Sequence, residues 1–169
     1  VVLRLNTSAQ IDKEIARQAD ALRWLHIDIE DEASALVADF AFNATTLSQR
    51  IVTEEALEKR ADSALQLRRE QSLMNLFAAL ESDASAAATL GVQAAASNDE
   101  AQLAQFEALV SDTLSRVSET TEGLEDTIGN NSLLFAFEEL EGLLIAEGGW
   151  IENRKAWLSE RNALDVSLS

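Results

Sequence analysis

The feature that most constrains this sequence is the complete absence of proline from its 169 residues. Proline interrupts helices because it lacks an amide hydrogen and its ring clashes with the preceding turn. A proline-free chain that is also rich in alanine, leucine, glutamate and glutamine is typical of an almost wholly helical protein. Because this length suits one hydrophobic core, we predict a single all-α domain over residues 1–169.

Apolar residues recur at helical spacing along the whole chain. Ile15, Leu22, Ile29 and Leu36 lie one heptad apart, and the residues between them are largely polar. Such spacing places the apolar side chains on one face of a helix. The same rule puts Leu57, Leu65, Leu73 and Phe77 on the apolar stripe of a second helix. No period-two alternation persists beyond a few residues, so no strand is expected.

Polar segments divide the pattern into four predicted helices. Thr53, which is followed by two glutamates, is predicted to cap the second helix. Ser97–Asp99 mark the clearest boundary, and Gly129–Asn131 close the third helix before Ser132. The predicted helices span approximately residues 6–52, 54–96, 99–128 and 132–166.

Two irregular places occur inside these helices. The apolar stripe weakens over Asn43–Thr46, which is compatible with either a break or a kink in one long helix. Gly148 and Gly149 interrupt the last helix, and a glycine pair predicts a kink or local unwinding there.

Short connections favour an antiparallel arrangement of neighbouring helices. The predicted architecture is therefore an antiparallel up-down four-helix bundle with long helices. An even number of helices returns the chain to its starting end, so both termini are expected at the same end of the bundle. The chain opens on Val1-Val2-Leu3-Arg4 without an initiator methionine, and we interpret it as part of a longer protein.

Charge and composition exclude several classes of protein. Thirteen basic and 30 acidic residues give a formal net charge of −17, which argues against binding to nucleic acid or to an anionic membrane surface. Cysteine is absent, so disulfides, cysteine nucleophiles and cysteine-based zinc sites are excluded. No run of about 20 apolar residues occurs that could span a bilayer.

Enzymatic activity is not expected of this chain, and neither a cofactor nor a metal is predicted. A di-iron bundle needs Glu-x-x-His on two helices, whereas His26 is the one histidine and Arg23 lies three residues before it. No glycine-rich phosphate loop or nucleophile elbow is present. His26 has two interpretations: a pH switch or proton donor beside Glu30, or a structural pair with that carboxylate.

The tryptophans provide the second group of candidate binding residues. Trp150 and Trp157 share a face of the last helix, and Trp24 lies on the first helix, its expected neighbour. An aromatic pocket beside the glycine pair is one interpretation, and ordinary core packing is the other. The complete set of candidate ligand- or partner-binding residues is Trp24, His26, Gly148, Gly149, Trp150 and Trp157.

Long proline-free helices, polar turns, the irregular Asn43–Thr46 segment and helices that reach both ends of the chain form a recognisable pattern. This pattern resembles the extracytoplasmic helical sensor domain of bacterial sensor histidine kinases, most closely the TorS type. The nitrate-sensor motif of the NarX type is not present. The resemblance implies a periplasmic domain of a membrane-anchored inner-membrane protein, with both termini at the membrane-proximal end. It further implies that the protein forms homodimers in the membrane and recognises its signal through a periplasmic binding protein.

The function expected from this resemblance is signal sensing in a two-component system. Binding of a small ligand or a periplasmic binding protein would shift the bundle between two arrangements and displace helices that enter the membrane. A chemoreceptor ligand-binding domain and a soluble helical adaptor or coiled-coil assembly module remain as alternatives.

Overall fold

The computed structural model describes the backbone of residues 2–122, 124 and 132–167, and the side chains of residues 13–122, 124 and 132–163. Within these ranges the chain is helical apart from short connections, and it contains no strand. The prediction of an all-α protein is thereby confirmed. The described helices are α1 Val2–Thr53, α2 Leu57–Ala96, α3 Glu100–Glu122, α4 Ser132–Ile145 and α5 Trp150–Ser167.

Helix α1 runs without a break through the irregular segment around Asn43. The hydroxyls of Thr45 and Thr46 donate to the carbonyls of Ala41 and Phe42, over 2.9 and 3.0 Å respectively. Each threonine thus bonds within its own helix instead of offering the backbone an alternative conformation. The polar segment is therefore part of a single helix.

The predicted capping role of Thr53 is wrong. Thr53 is the last residue of α1, and its hydroxyl donates to the carbonyl of Gln49 over 3.0 Å. Helix α2 begins three residues later than predicted, after Ala56, whose backbone is extended and which supplies no side-chain cap. The Thr53 hydroxyl bonds to a carbonyl in the last turn of α1 and does not cap the first amides of α2.

The boundary between α2 and α3 lies where the sequence places it. The Asp99 carboxylate accepts a hydrogen bond of 2.8 Å from the amide of Ala101 and so caps α3. The amide of Asp99 in turn donates to the hydroxyl of Ser97 over 3.3 Å. These two local bonds turn the chain between the helices.

Helix α3 is shorter than predicted. It ends at Glu122 instead of residue 128, and Leu124 is in a turn whose amide donates to the carbonyl of Thr121 over 2.8 Å. Glycine, which commonly follows a helix end, is the next residue in the sequence. Residues 125–131, including the predicted stop at Gly129, lie outside the described residues.

The core is concentrated in one part of the helices. Its buried side chains come from residues 22–33 of α1, 77–95 of α2 and 103–117 of α3, together with α4 and the first half of α5. Phe77 is fully buried and stacks on Phe40, with ring centroids 5.4 Å apart. Helix α2 packs along α1 and α3, and α4 packs mainly against α1.

Residues 57–76 of α2 contribute no buried side chain, contrary to the sequence pattern. Leu57 is 81% exposed and Leu65 is 63% exposed. Helix α3 contacts α2 through the ion pair of Arg116 with Asp83, at 3.0 Å, and ends six residues later. The hydrogen bond that the Arg116 guanidinium donates to Asp83 also raises the pKa of Arg116. Because α3 stops there, no third helix within the described ranges covers the apolar positions of the first half of α2.

Candidate functional site

The predicted interruption of the last helix is a structured junction between α4 and α5. The amide of Gly149 donates to the carbonyl of Ala146 over 2.7 Å. The amide of Gly148 donates to the carboxylate of Glu152 over 2.6 Å, and the side-chain amide of Asn153 donates to the carbonyl of Gly148 over 2.8 Å. Local hydrogen bonds therefore satisfy the backbone of the junction, which is a defined turn.

The two glycines are required for different reasons. Gly148 has a φ angle of +77°, in the left-handed region that residues with a side chain rarely adopt. A Cβ atom on Gly149 would lie 2.7 Å from the carbonyl oxygen of Ala146, so the backbone would have to move. Gly142, on α4, provides a comparison, since a Cβ atom there would meet nothing within 4 Å.

Alanine substitutions test the junction. We expect Gly148→Ala to lower the free energy of unfolding by about 1–2 kcal/mol because of its backbone conformation. Gly149→Ala should cost about 1–3 kcal/mol, since a backbone contact must be relieved. Gly142→Ala should raise stability by about 0.5–1 kcal/mol, because alanine replaces glycine at an exposed position in the interior of a helix. Urea denaturation followed by circular dichroism measures all three, and equal stability of the Gly148 and Gly142 variants would contradict the role of the turn.

Helix α5 is anchored below this junction by buried side chains. Trp150, its first residue, is 1% exposed, and its indole nitrogen has no hydrogen-bond partner among the described residues. Arg154 is buried and donates to the carbonyl of Ser97 from two nitrogens, over 2.9 and 2.7 Å. Its guanidinium also lies 4.2 Å from the ring centre of Trp157. A cation here meets the carbonyl end of α2, where the helix dipole favours positive charge.

A close contact joins the junction to α1 and α2. A Cβ atom on Gly91 of α2 would lie 2.4 Å from Leu144 Cδ2 and 3.4 Å from Leu22 Cδ2. A side chain at this position would therefore displace Leu144 of α4, whereas Leu22 of α1 would lie at ordinary contact distance. Leu144 is the penultimate residue of α4, so the end of this helix is seated directly against α2.

A polar groove of about 320 Å³ lies between α1 and α2. His26 begins its α1 wall, one helical turn after Leu22. The Nδ1 atom of this histidine is buried and has no hydrogen-bond partner in the described part of the chain. Neither His26 nor Glu30 forms an ion pair with any residue that the structure describes, so the anticipated structural pair is not formed. The groove is lined by His26, Glu30, Ala78, Glu81, Ser82 and Ser85.

A second, more acidic groove of about 460 Å³ lies between α1 and α4. Phe135 is 58% exposed there, beside carboxylates from both helices. Its acidic residues are Asp28, Asp31, Glu32 and Glu139. Among the described residues, no group of three or more histidine, aspartate or glutamate side chains is arranged to hold a metal ion.

The candidate residues from the sequence lie in three separate environments. Trp24 is 67% exposed, and no ring contact joins it to Trp150 or Trp157 within the described part of the chain. Trp150 is part of the core directly after the glycine junction, and Trp157, two turns further along the same face of α5, packs against the core beside Arg154. His26 lines a groove on α1. The structure thus places Trp150 beside the glycines, with Trp157 on the same helix, and leaves Trp24 and His26 elsewhere.

Arg154 and the α2 wall of the polar groove were missed by sequence reasoning. Arg154 lies three residues after Ile151 and four before Leu158, so its position in the apolar stripe was a signal that could have identified a buried residue. No comparable signal marks Ala78, Ser82 and Ser85, because small residues at helical spacing are common on exposed helix faces.

Comparisons with protein-family models, with curated proteins and with solved structures find no match to this chain. No helix within the described ranges is both long and apolar enough to cross a membrane. The two grooves and the α4–α5 junction are therefore the features of this chain that bear on its function.

Proposed function

We propose that this chain is the signal-sensing domain of a membrane-anchored sensor histidine kinase of a two-component system, located on the periplasmic side of the inner membrane. It binds a small ligand or a periplasmic binding protein, functions as a homodimer and transmits the signal as a helix displacement. The domain itself performs no chemical reaction in this proposal.

Contacts between α1 and α2 support the up-down bundle on which this proposal depends. Phe40 stacks on Phe77, whereas Leu22, nearer the start of α1, contacts Gly91, nearer the end of α2. Rising residue numbers on one helix thus meet falling numbers on the other. This order favours an antiparallel hairpin.

Contacts between α3 and α5 follow the same order. Glu107 pairs with Lys155 over 2.6 Å, and Glu100 accepts a hydrogen bond of 2.9 Å from Asn162. If α4 and α5 together act as the fourth helix, both ends of the chain lie at one end of the bundle. That arrangement would allow two membrane helices to continue from α1 and α5.

The observation that carries the proposal is the contact of Leu22, Gly91 and Leu144. It lies one turn along α1 from the polar groove and at the end of α4, immediately before the glycine junction. Packed interfaces resist gradual deformation, so a small shift of α1 against α2 would move Leu144 between discrete positions. An occupant that prefers one position would shift the equilibrium toward it.

The coding sequence on either side of this segment provides the first test. We expect an apolar run of about 20 residues within roughly 30 residues of each end, long enough to span a membrane. A kinase region downstream would support the histidine kinase, and a methyl-accepting region would replace it with the chemoreceptor alternative. Polar continuations at both ends would contradict a membrane receptor and favour the soluble adaptor.

A chimeric receptor tests transmission. Residues 1–169 are placed between the two transmembrane helices of a histidine kinase, and autophosphorylation is measured with fractions of periplasmic extract. We expect Gly148→Ala/Gly149→Ala to fix the output at one level, whereas Gly142→Ala responds like the unmodified chimera. Circular dichroism of the isolated variants verifies folding, and Gly148→Ala alone is used where the double variant does not fold. A normal response of a folded junction variant would contradict the mechanism.

A further inference from the structure

The polar groove between α1 and α2 contains side chains that have no partner within the protein. Five polar residues line it, and none of them forms a side-chain hydrogen bond or an ion pair with any other described residue. His26, Glu81 and Ser85 are half-buried, whereas the remaining two are exposed. The five residues are His26, Glu30, Glu81, Ser82 and Ser85.

Several threonine hydroxyls in the described helices bond within their own helix. Thr45, Thr53, Thr113 and Thr120 each donate to the carbonyl four residues earlier, at 2.7–3.0 Å. Ser82 and Ser85 make no such bond to any described residue, as is also true of serines on other exposed helix faces. Their hydroxyls are therefore available to a molecule in the groove.

Every one of the five side chains can accept a hydrogen bond. Carboxylates only accept, hydroxyls can accept, and a neutral imidazole accepts at one nitrogen. The groove is therefore rich in acceptors and has a negative charge from Glu30 and Glu81, which Arg23, one turn before His26 on α1, offsets only in part.

We infer that this groove is a binding site for a small guanidinium compound. A guanidinium carries a permanent positive charge and five N–H donors in one plane, so it can donate to both walls of the groove at once. Glu30 and His26 provide acceptors on α1, and Glu81, Ser82 and Ser85 provide them on α2. Bidentate pairing with a carboxylate gives the guanidinium an advantage over a compact ammonium group.

The charge of the whole chain supports the same ligand class. A net charge of −17 attracts cations and repels carboxylates and phosphates. Long-range attraction alone does not distinguish one groove from another, so the acceptors on both walls provide the specificity. A bound guanidinium would bridge α1 and α2 one turn from Leu22. It would therefore be a ligand of the proposed sensor, and to that extent the inference rests on the proposed function.

Direct binding to the isolated domain tests the inference without any signalling assay. Agmatine, a guanidinium with an alkylammonium tail, is titrated by isothermal calorimetry at physiological ionic strength. We expect a dissociation constant below about 1 mM. Putrescine, which replaces the guanidinium with a second ammonium, should bind at least about tenfold more weakly. Amide NMR shifts should be concentrated at residues 26–30 and 78–85.

Matched variants separate the groove from general attraction. Glu81→Gln and Glu30→Gln should each weaken agmatine binding roughly tenfold, because each removes a charged acceptor. Glu139→Gln makes the same change of charge in the other groove and should leave the dissociation constant within about twofold.

Three results would overturn the inference. They are the absence of agmatine binding, equal affinity for putrescine, and equal weakening by Glu139→Gln. Agmatine binding at the groove together with a chimeric receptor that never responds would reject the sensor function and retain the binding site. A responsive chimera whose isolated domain does not bind agmatine would reject the ligand and retain the function.

Discussion

Replacing Trp150 with alanine is expected to lower the free energy of unfolding by about 3–5 kcal/mol, the cost of truncating a large, fully buried aromatic side chain. Trp150 is 1% exposed and begins α5 directly after the glycine turn. Its removal would leave a cavity at the point where α5 joins the core. Urea denaturation followed by circular dichroism gives the measurement without depending on tryptophan fluorescence.

Two further variants show which part of Trp150 matters. No described residue forms a hydrogen bond with the buried indole nitrogen to compensate its desolvation. Trp150→Phe removes that cost along with part of the ring, and we expect it to stay within about 1 kcal/mol of the native protein. Trp24→Ala makes the same truncation at a side chain that is 67% exposed and should cost no more than about 0.5 kcal/mol. A similar loss in the Trp24 and Trp150 variants would contradict the described burial.

Phe77→Ala is the second substitution with a large expected effect, also about 3–5 kcal/mol. Phe77 has 0% exposure, and its ring stacks on Phe40 with an interplanar angle of 18°. A stacked pair adds about 0.5–1.5 kcal/mol beyond the burial of apolar area. The loss would weaken the hairpin of α1 and α2 near the point where the described core begins.

Phe42→Ala is the matched control for this prediction. Phe42 lies two residues after Phe40 on α1 but is 72% exposed, so its truncation should change stability by no more than about 0.5 kcal/mol. Both variants are compared by urea denaturation under the same conditions. Equal losses for Phe42 and Phe77 would mean that α1 presents a different face to α2.

Much of the helix organisation was predictable because it depends on neighbouring residues. The connection from Ala96 to Glu100 follows from a serine and an aspartate that cap locally. The junction at Gly148 follows from a backbone angle that favours glycine. The end of α1 was not predictable in the same way, because Thr53 could serve either helix and bonds to the one before it.

Burial and exposure along the predicted stripes depended on the neighbouring helices. Leu65 and Phe77 occupy the same predicted stripe of α2, yet the first is 63% exposed and the second is fully buried. The difference arises because α3 ends beside the second half of α2. Trp24 and Trp150 differ in exposure for the same reason. Helical spacing defines the face of a helix on which a residue lies, but not which element packs against that face.

The sequence by itself determined that this protein is helical, that a capped boundary separates α2 from α3 and that the last predicted helix is interrupted, because capping, glycine conformation and apolar spacing act over a few residues. Only the tertiary structure decided which side chains meet. His26 and Glu81 line the same groove although 55 residues separate them in the chain. Gly91 admits Leu22 and Leu144 from two other helices. Such contacts depend on how α1, α2 and α4 pack together, and no local pattern in one helix specifies its partner.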